Sequence, residues 1–151
     1  ATEDAPARAP APARAVPDSP PYTFGFFTAP VGYHTAMELR VEAGTWGSGR
    51  MVVWMRLRVP VVPGEAPSGL QRVMVAADSG NGISAALDPA RFTFLNPDLA
   101  VYLHRLPVGE WVRLDAATTV SAGGAGMAEC GLEDERGPIG RSLQSLLIDP
   151  R

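Results

Sequence analysis

An α+β fold, an antiparallel sheet wrapped on one helix, follows from three features of the 151-residue sequence. Residues 68–82 carry the one long helical pattern. Segments on either side alternate apolar and polar residues with the period of two that half-buried strands show. Turns rich in Gly and Pro separate those segments. The resulting order of strand, strand, helix and four strands is that of an antiparallel sheet with its helix on one face.

The helix has a defined start. Ser68 and Gln71 have the spacing of a capping box, which satisfies two free backbone N–H groups reciprocally. Leu70, Val73, Met74 and Ala77 fall at i, i+3, i+4 and i+7, so they are expected as the stripe that faces the sheet. Gly80 is expected as the stop, in the left-handed conformation common just past a helix end. Asp78 then lies in the last turn, where the helix dipole gives a carboxylate no help. It is either a solvated cap or a working carboxylate.

Ahead of the helix, Met37, Leu39 and Val41 alternate with Glu38, Arg40 and Glu42, and Met51 to Val59 alternates again, with Trp54, Arg56 and Arg58 on the second side. Gly44 to Gly49 turns between them, so the two segments form a hairpin. Pro60, Pro63 and Pro67 punctuate the approach to the helix, and Asp88-Pro89 leads out of it. One strand is expected within Arg91–His104, then Trp111–Val120, Met127–Glu133 and Ile139–Ile148. Aromatic residues crowd at Tyr22, Phe24, Phe26 and Phe27.

Residues 1–21 are mostly Ala, Pro and Arg. Their prolines deny helix and sheet hydrogen bonds and they hold almost nothing large to bury, so a disordered or polyproline linker is expected, removable with little loss of stability. Residues 22–151 are then the folded domain. An opening without Met suggests that something upstream is removed or separately supplied. No apolar run suits a signal peptide or a membrane span, and a cytoplasmic location is expected.

Composition removes several function classes. All 13 basic residues are Arg, which excludes a Schiff-base lysine and a Walker lysine. A net charge of -3 argues against a nucleic-acid surface. The single Cys130 lies in the apolar pattern Ala128, Cys130, Leu132 and reads as a buried thiol rather than a nucleophile. Gly80-Asn81-Gly82-Ile83-Ser84-Ala85 has the letters of a dinucleotide-binding turn, but it follows a helix where that motif follows a strand. His34 and His104 lie apart with no ligand-spaced Cys or carboxylate, so neither a metal nor another cofactor is expected. His104-Arg105 reads as a structural pair. No Ser stands in a nucleophile elbow.

Polar residues in apolar or helix-end surroundings remain: Asp78, Asn96 and Gln144. Each has a plain structural reading as a helix-end residue, part of a turn at Asn96-Pro97-Asp98, or an exposed strand position. A buried Gln144 without partners would cost about 1–3 kcal/mol.

These residues also carry a resemblance. Val75-Ala76-Ala77-Asp78-Ser79, Phe92-Thr93-Phe94-Leu95-Asn96-Pro97-Asp98 running into Leu103-His104-Arg105, Gly109-Glu110-Trp111, and Gly137-Pro138-Ile139-Gly140-Arg141-Ser142-Leu143-Gln144 together look like the second half of the double-hotdog, TesB-like type II acyl-CoA thioesterases. The resemblance spans roughly residues 35–151. It implies a hotdog fold and hydrolysis of acyl-CoA to fatty acid and CoA. It matches Asp78 to the family's catalytic aspartate, Asn96 to the polar residue of the next strand, and Gln144 to its glutamine. Asp78 would act as general base, with the amides of Asn96 and Gln144 holding the water or donating to the thioester carbonyl. An acyl intermediate on Asp78 is the other route. Members carry two hotdog repeats and this chain carries one, so pairing with a second hotdog is expected, as a homo-oligomer or with a separate N-terminal half. Arg105 and Arg141 could meet CoA phosphates, and neither is assigned. A hotdog hydratase is disfavoured, because Gly80 and Ile83 stand where its Asn and His belong. A non-catalytic acyl-CoA-binding domain is the alternative reading, and a purely structural pairing module ranks third.

Overall fold

The computed structural model describes residues 12–151. After a one-turn helix, α1 (Tyr33–Ala36), come strands β1 (Met37–Gly44) and β2 (Arg50–Leu57), then helices α2 (Gly69–Ala77) and α3 (Gly80–Ile83). Strands β3 (Phe92–Leu95), β4 (Ala100–Leu103), β5 (Trp111–Val120), β6 (Ala125–Asp134) and β7 (Gly137–Pro150) follow. All seven strands of the described residues join one antiparallel sheet in the order β1-β2-β5-β6-β7-β3, with β4 also on β7. The sheet curls around α2 and α3, which is the hotdog arrangement.

Five strands follow the helices where the sequence suggests four, because Arg91–His104 breaks at Asn96-Pro97-Asp98. Leu95 stands opposite Leu147 and Ala100 opposite Leu143, so four residues on this side face three on β7. Pro97 offers no ladder donor. Asp98 spans the gap instead, accepting from the Ser145 backbone N–H at 2.9 Å and from its hydroxyl at 2.7 Å.

The helix presents a different stripe from the expected one. Val73 and Ala77 are fully buried as anticipated, and Ala76 joins them, whereas Leu70 and Met74 are 49% and 39% exposed. Val73, Ala76, Ala77 and Gly80 have the same i, i+3, i+4, i+7 spacing, and their small size lets the helix axis lie close to the sheet. Leu70 and Met74 overhang the rim. The core opposite consists of Met51, Val53 and Met55 of β2, Val112 and Leu114 of β5, and Leu132 of β6.

On the outer face, Trp54 is fully buried and its indole N–H donates to Glu42 at 2.7 Å. Arg113 grips the same carboxylate from two nitrogens, at 2.8 and 2.7 Å, and reaches Glu133 at 3.1 Å. Arg56 binds Glu38 at 2.6 Å and lies over the Trp111 ring, 4.9 Å from its centroid. Residues 12–21 form no helix or strand. They do touch the sheet: Arg14 pairs with Glu133 at 2.5 Å, the Pro17 carbonyl accepts from Arg40, and Ser19 donates to the Val41 carbonyl. Residues 1–11 of the expected linker lie outside the described residues. Among the described residues, no helix is long and apolar enough to cross a membrane.

Candidate active site

The capping box at the start of α2 is formed as the sequence implies: the Ser68 hydroxyl accepts from Gln71 N–H at 3.2 Å, and the Gln71 side-chain oxygen from Ser68 N–H at 2.7 Å. The far end differs. Asp78 closes α2 with right-handed dihedrals, and its N–H still donates to the Met74 carbonyl at 3.1 Å. Gly80 is not left-handed. It opens α3, and the reason for glycine is space: a Cβ there would lie 2.8 Å from both Cys130 Sγ and Gln144 Oε1. The small residue lets the α2–α3 junction rest directly on β6 and β7.

Three side chains fix that junction. Gln144 projects from β7 toward it and is 2% exposed. Its oxygen accepts from Asn81 N–H at 2.9 Å, and its amide nitrogen donates to the Asp78 backbone carbonyl at 3.1 Å. Ser84 donates its hydroxyl to the Gly80 carbonyl at 2.9 Å and accepts from the Thr118 hydroxyl at 2.7 Å. Trp46 donates its indole N–H to the Gly82 carbonyl at 2.9 Å.

The side chain of Asp78 is left exposed at the junction. Asn96, carried there by the break between β3 and β4, donates from its amide to Asp78 Oδ1 at 3.2 Å. The structure therefore brings Asp78, Asn96 and Gln144 together, the first two by their side chains. Gln144 meets Asp78 through the backbone.

Further residues belong to this neighbourhood that sequence reasoning did not assign. The Tyr33 hydroxyl bonds Ser79 Oγ and donates to the Val75 carbonyl at 3.3 Å. Burial raises its pKa above the usual tyrosine value; the Ser79 bond opposes that shift and the Asp78 charge adds to it. Beside Asp78 and Ser79 opens a cavity of about 280 Å³, with Phe24, Phe27 and Tyr33 among its walls. The aromatic density near residue 24 was the available signal, but nothing in the sequence connects it to residue 78.

Other candidates have structural work. Arg105 does not pair with His104; it forms a two-pronged bond to Asp134, both contacts 2.6 Å, and Asp134 is wholly buried. That bond occupies its guanidinium, whereas Arg141 is exposed. Burial alone pushes the Asp134 pKa up, but hydrogen bonds from Arg105, Val108 N–H and Arg136 N–H outweigh it and hold the carboxyl below its usual range. Burial pushes the Cys130 thiol up to about 11, so it stays protonated and unreactive at neutral pH. Among the described residues, no group of three His, Cys, Asp or Glu side chains converges as metal ligands do.

Comparison with solved structures shows the same fold. The chain is similar to acyl-CoA thioesterase II of Mycobacterium marinum at 17% identity and a TM-score of 0.61, covering 100% of this chain and 60% of that one. It is similar to a thioesterase of Haemophilus influenzae at 15% identity and a TM-score of 0.54, covering 74% of this chain and 78% of that one. A Staphylococcus aureus thioesterase matches at 13% identity and a TM-score of 0.55, covering 74% and 93%. No curated protein matches the sequence. The family described as the acyl-CoA thioesterase C-terminal domain matches residues 3–148, nearly the whole chain. With its hotdog sheet and a family match over nearly its whole length, the chain belongs to that family and is a thioester-hydrolase domain.

Proposed function

We propose that this domain hydrolyses acyl-CoA to a free fatty acid and CoA, with Asp78 as the general base. The observation that carries the reading is the exposed Asp78 carboxylate, held by Asn96 at 3.2 Å beside an apolar cavity. Asn96 occupies Oδ1, which leaves Oδ2 to take a proton from water. The water oxygen bonds to the thioester carbonyl carbon and the negative charge moves onto the carbonyl oxygen. Asn96 has a second amide N–H to donate there as charge develops. Collapse breaks the C–S bond, and the proton on Asp78 passes to the departing thiolate.

Gln144 acts through the backbone in this reading. Its two bonds to Asp78 and Asn81 set where the helix-end carboxylate points, which makes it a positioning residue.

The same reading includes a second hotdog. The chain spans 60% of the M. marinum enzyme, and β3 and β4 end the sheet with an edge that, among the described residues, is unpaired and bears exposed Leu95 and Tyr102. Such an edge is a ready template for another strand. A second copy of this chain, or a separate hotdog half, fits there.

The test is turnover of an acyl-CoA panel with a free-thiol readout. Asp78→Asn keeps shape and removes basicity, so turnover should fall by about 10²-fold or more with the unfolding midpoint unchanged. Wild-type turnover in that variant sinks the assignment. Tight acyl-CoA binding without turnover in the native protein would favour a non-catalytic binding domain.

A further inference from the structure

The cavity beside Asp78 has one wall that comes from outside the sheet and helices. Residues 22–33 fold back over the α2–α3 junction, and their aromatic rings pack as a block. Phe24 and Phe26 stack with centroids 5.3 Å apart, and Phe26 meets Phe27 at 4.6 Å. Trp46 closes the block, 5.7 Å from Phe24 and 5.5 Å from Phe26, while its N–H bond to Gly82 ties it to α3. Leu39 and Ile83, 6% and 2% exposed, form the floor. Polar groups occur only toward Asp78, Ser79 and the Tyr33 hydroxyl. A site with one polar end and an otherwise hydrocarbon lining suits a ligand with a polar head and an apolar tail.

We propose that this aromatic wall is the acyl-length gauge of the domain and admits acyl groups of short to medium length. The inference rests on the hydrolase reading of Asp78, which would hold the thioester carbon at the polar end. Size sets the limit. The cavity, about 280 Å³, lies at the small end of the roughly 300–1,000 Å³ typical of ligand sites, so a long acyl chain must leave past Phe26, which is 53% exposed at the rim.

Two positions bracket the gauge without disturbing the fold. Phe26 is the exposed member of the block, so Phe26→Ala opens the outer end. Gly82 lines the cavity, and a Cβ added there meets nothing within 4 Å. Gly82→Leu therefore fills the space from inside α3.

The experiment measures kcat/KM for acetyl-, octanoyl- and palmitoyl-CoA in the native protein and both variants. Gly82→Leu should lower the octanoyl-to-acetyl ratio by about tenfold or more, the order of effect that methylene-sized changes have in apolar pockets. Phe26→Ala should raise the palmitoyl-to-octanoyl ratio by a similar factor. Native hydrolysis with ratios unchanged in both variants overturns the gauge and leaves the hydrolase reading standing. If the native protein hydrolyses none of the three, the hydrolase reading fails, and binding decides the gauge. Octanoyl-CoA should then change tryptophan emission where free CoA does not, with the signal lost in Trp46→Phe and the affinity about tenfold weaker in Gly82→Leu. Equal affinity in Gly82→Leu overturns the pocket assignment.

Discussion

Replacing Gln144 by Met removes both of the side-chain bonds that join β7 to the helix junction while keeping length and bulk. Asn81 N–H, 2.9 Å from the glutamine oxygen, and the Asp78 carbonyl, 3.1 Å from its nitrogen, lose their partners together. A buried orphaned group costs about 1–3 kcal/mol. Asn81 is half-buried and Asp78 exposed, so water reaches both in part and the lower end of that range applies. The sum is about 2–3 kcal/mol, and at about 2–4 °C per kcal/mol for a domain of this length the melting temperature should fall by about 5–10 °C. Turnover should fall as well, because the Asp78 carboxylate loses the anchor of its own backbone. Urea unfolding and free-thiol release on the same preparations measure the two effects. Gln144→Glu supplies the sharper contrast. The introduced carboxyl can still accept from Asn81 N–H but, once ionised, only repels the Asp78 carbonyl and side chain. Burial and repulsion raise its folded pKa above the ordinary glutamate value. The folded state then holds a proton that the unfolded chain has released, so stability falls as pH rises from about 4.3 through the raised folded value. A Gln144→Met protein with the native unfolding midpoint would refute the account of Gln144 as the clasp between sheet and helix end.

The native protein should show the opposite pH trend in acid. Hydrogen bonds and charges from arginine outweigh burial at Glu38 and Asp134, and the Arg113 bond leads at Glu42, so all three carboxyls titrate below their ordinary values. Their stabilisation is full above the unfolded values of about 4 and is lost as pH falls through the lower folded ones; a urea midpoint that holds constant from pH 5 to 3 would contradict this. Deleting residues 1–11 and deleting residues 1–21 should separate in stability by about 1–2 kcal/mol, since only the second removes the Arg14, Pro17 and Ser19 contacts, each worth at most about 1 kcal/mol at a surface. Equal melting temperatures for the two deletions would show that those contacts add nothing. Light scattering at micromolar concentration should find a species larger than the 15.9 kDa chain, whereas a uniform monomer would count against hotdog pairing through the β3/β4 edge.

The helix start, the hairpin and the strands after residue 110 were legible because each is a local matter. The Ser68–Gln71 box closes within one turn, and period-two alternation needs no knowledge of distant residues. Asp78 stood out for the same reason, as a carboxylate at the wrong end of a helix dipole, and Gln144 as a neutral amide among leucines. Asn96 stood out only as a polar residue at a turn, and the resemblance to a known family supplied its expected role and named the expected fold as a hotdog. Local pattern failed where two faces had similar chemistry. On β7, Ser142 and Gln144 are buried at 1% and 2% exposure while Leu143 and Leu147 are 38% and 60% exposed, the reverse of what polarity predicts. That parity follows from the pairing of Ala128 with Gln144 and Cys130 with Ser142.

Sequence by itself determined the fold class, the place of the one long helix and the presence of a misplaced carboxylate at its end. It did so because hydrogen bonds within a turn and alternation along a strand are short-range. Only the tertiary structure decided which helix face is buried, since Leu70–Met74 and Val73–Ala77 have equal periodicity and the close approach of small side chains selects the second. The site is likewise tertiary. Asn96 and Gln144 reach Asp78 across 18 and 66 positions of chain and Tyr33 reaches Ser79 across 46, and such meetings are fixed by sheet register and by the space left at Gly80, neither of which a local pattern encodes.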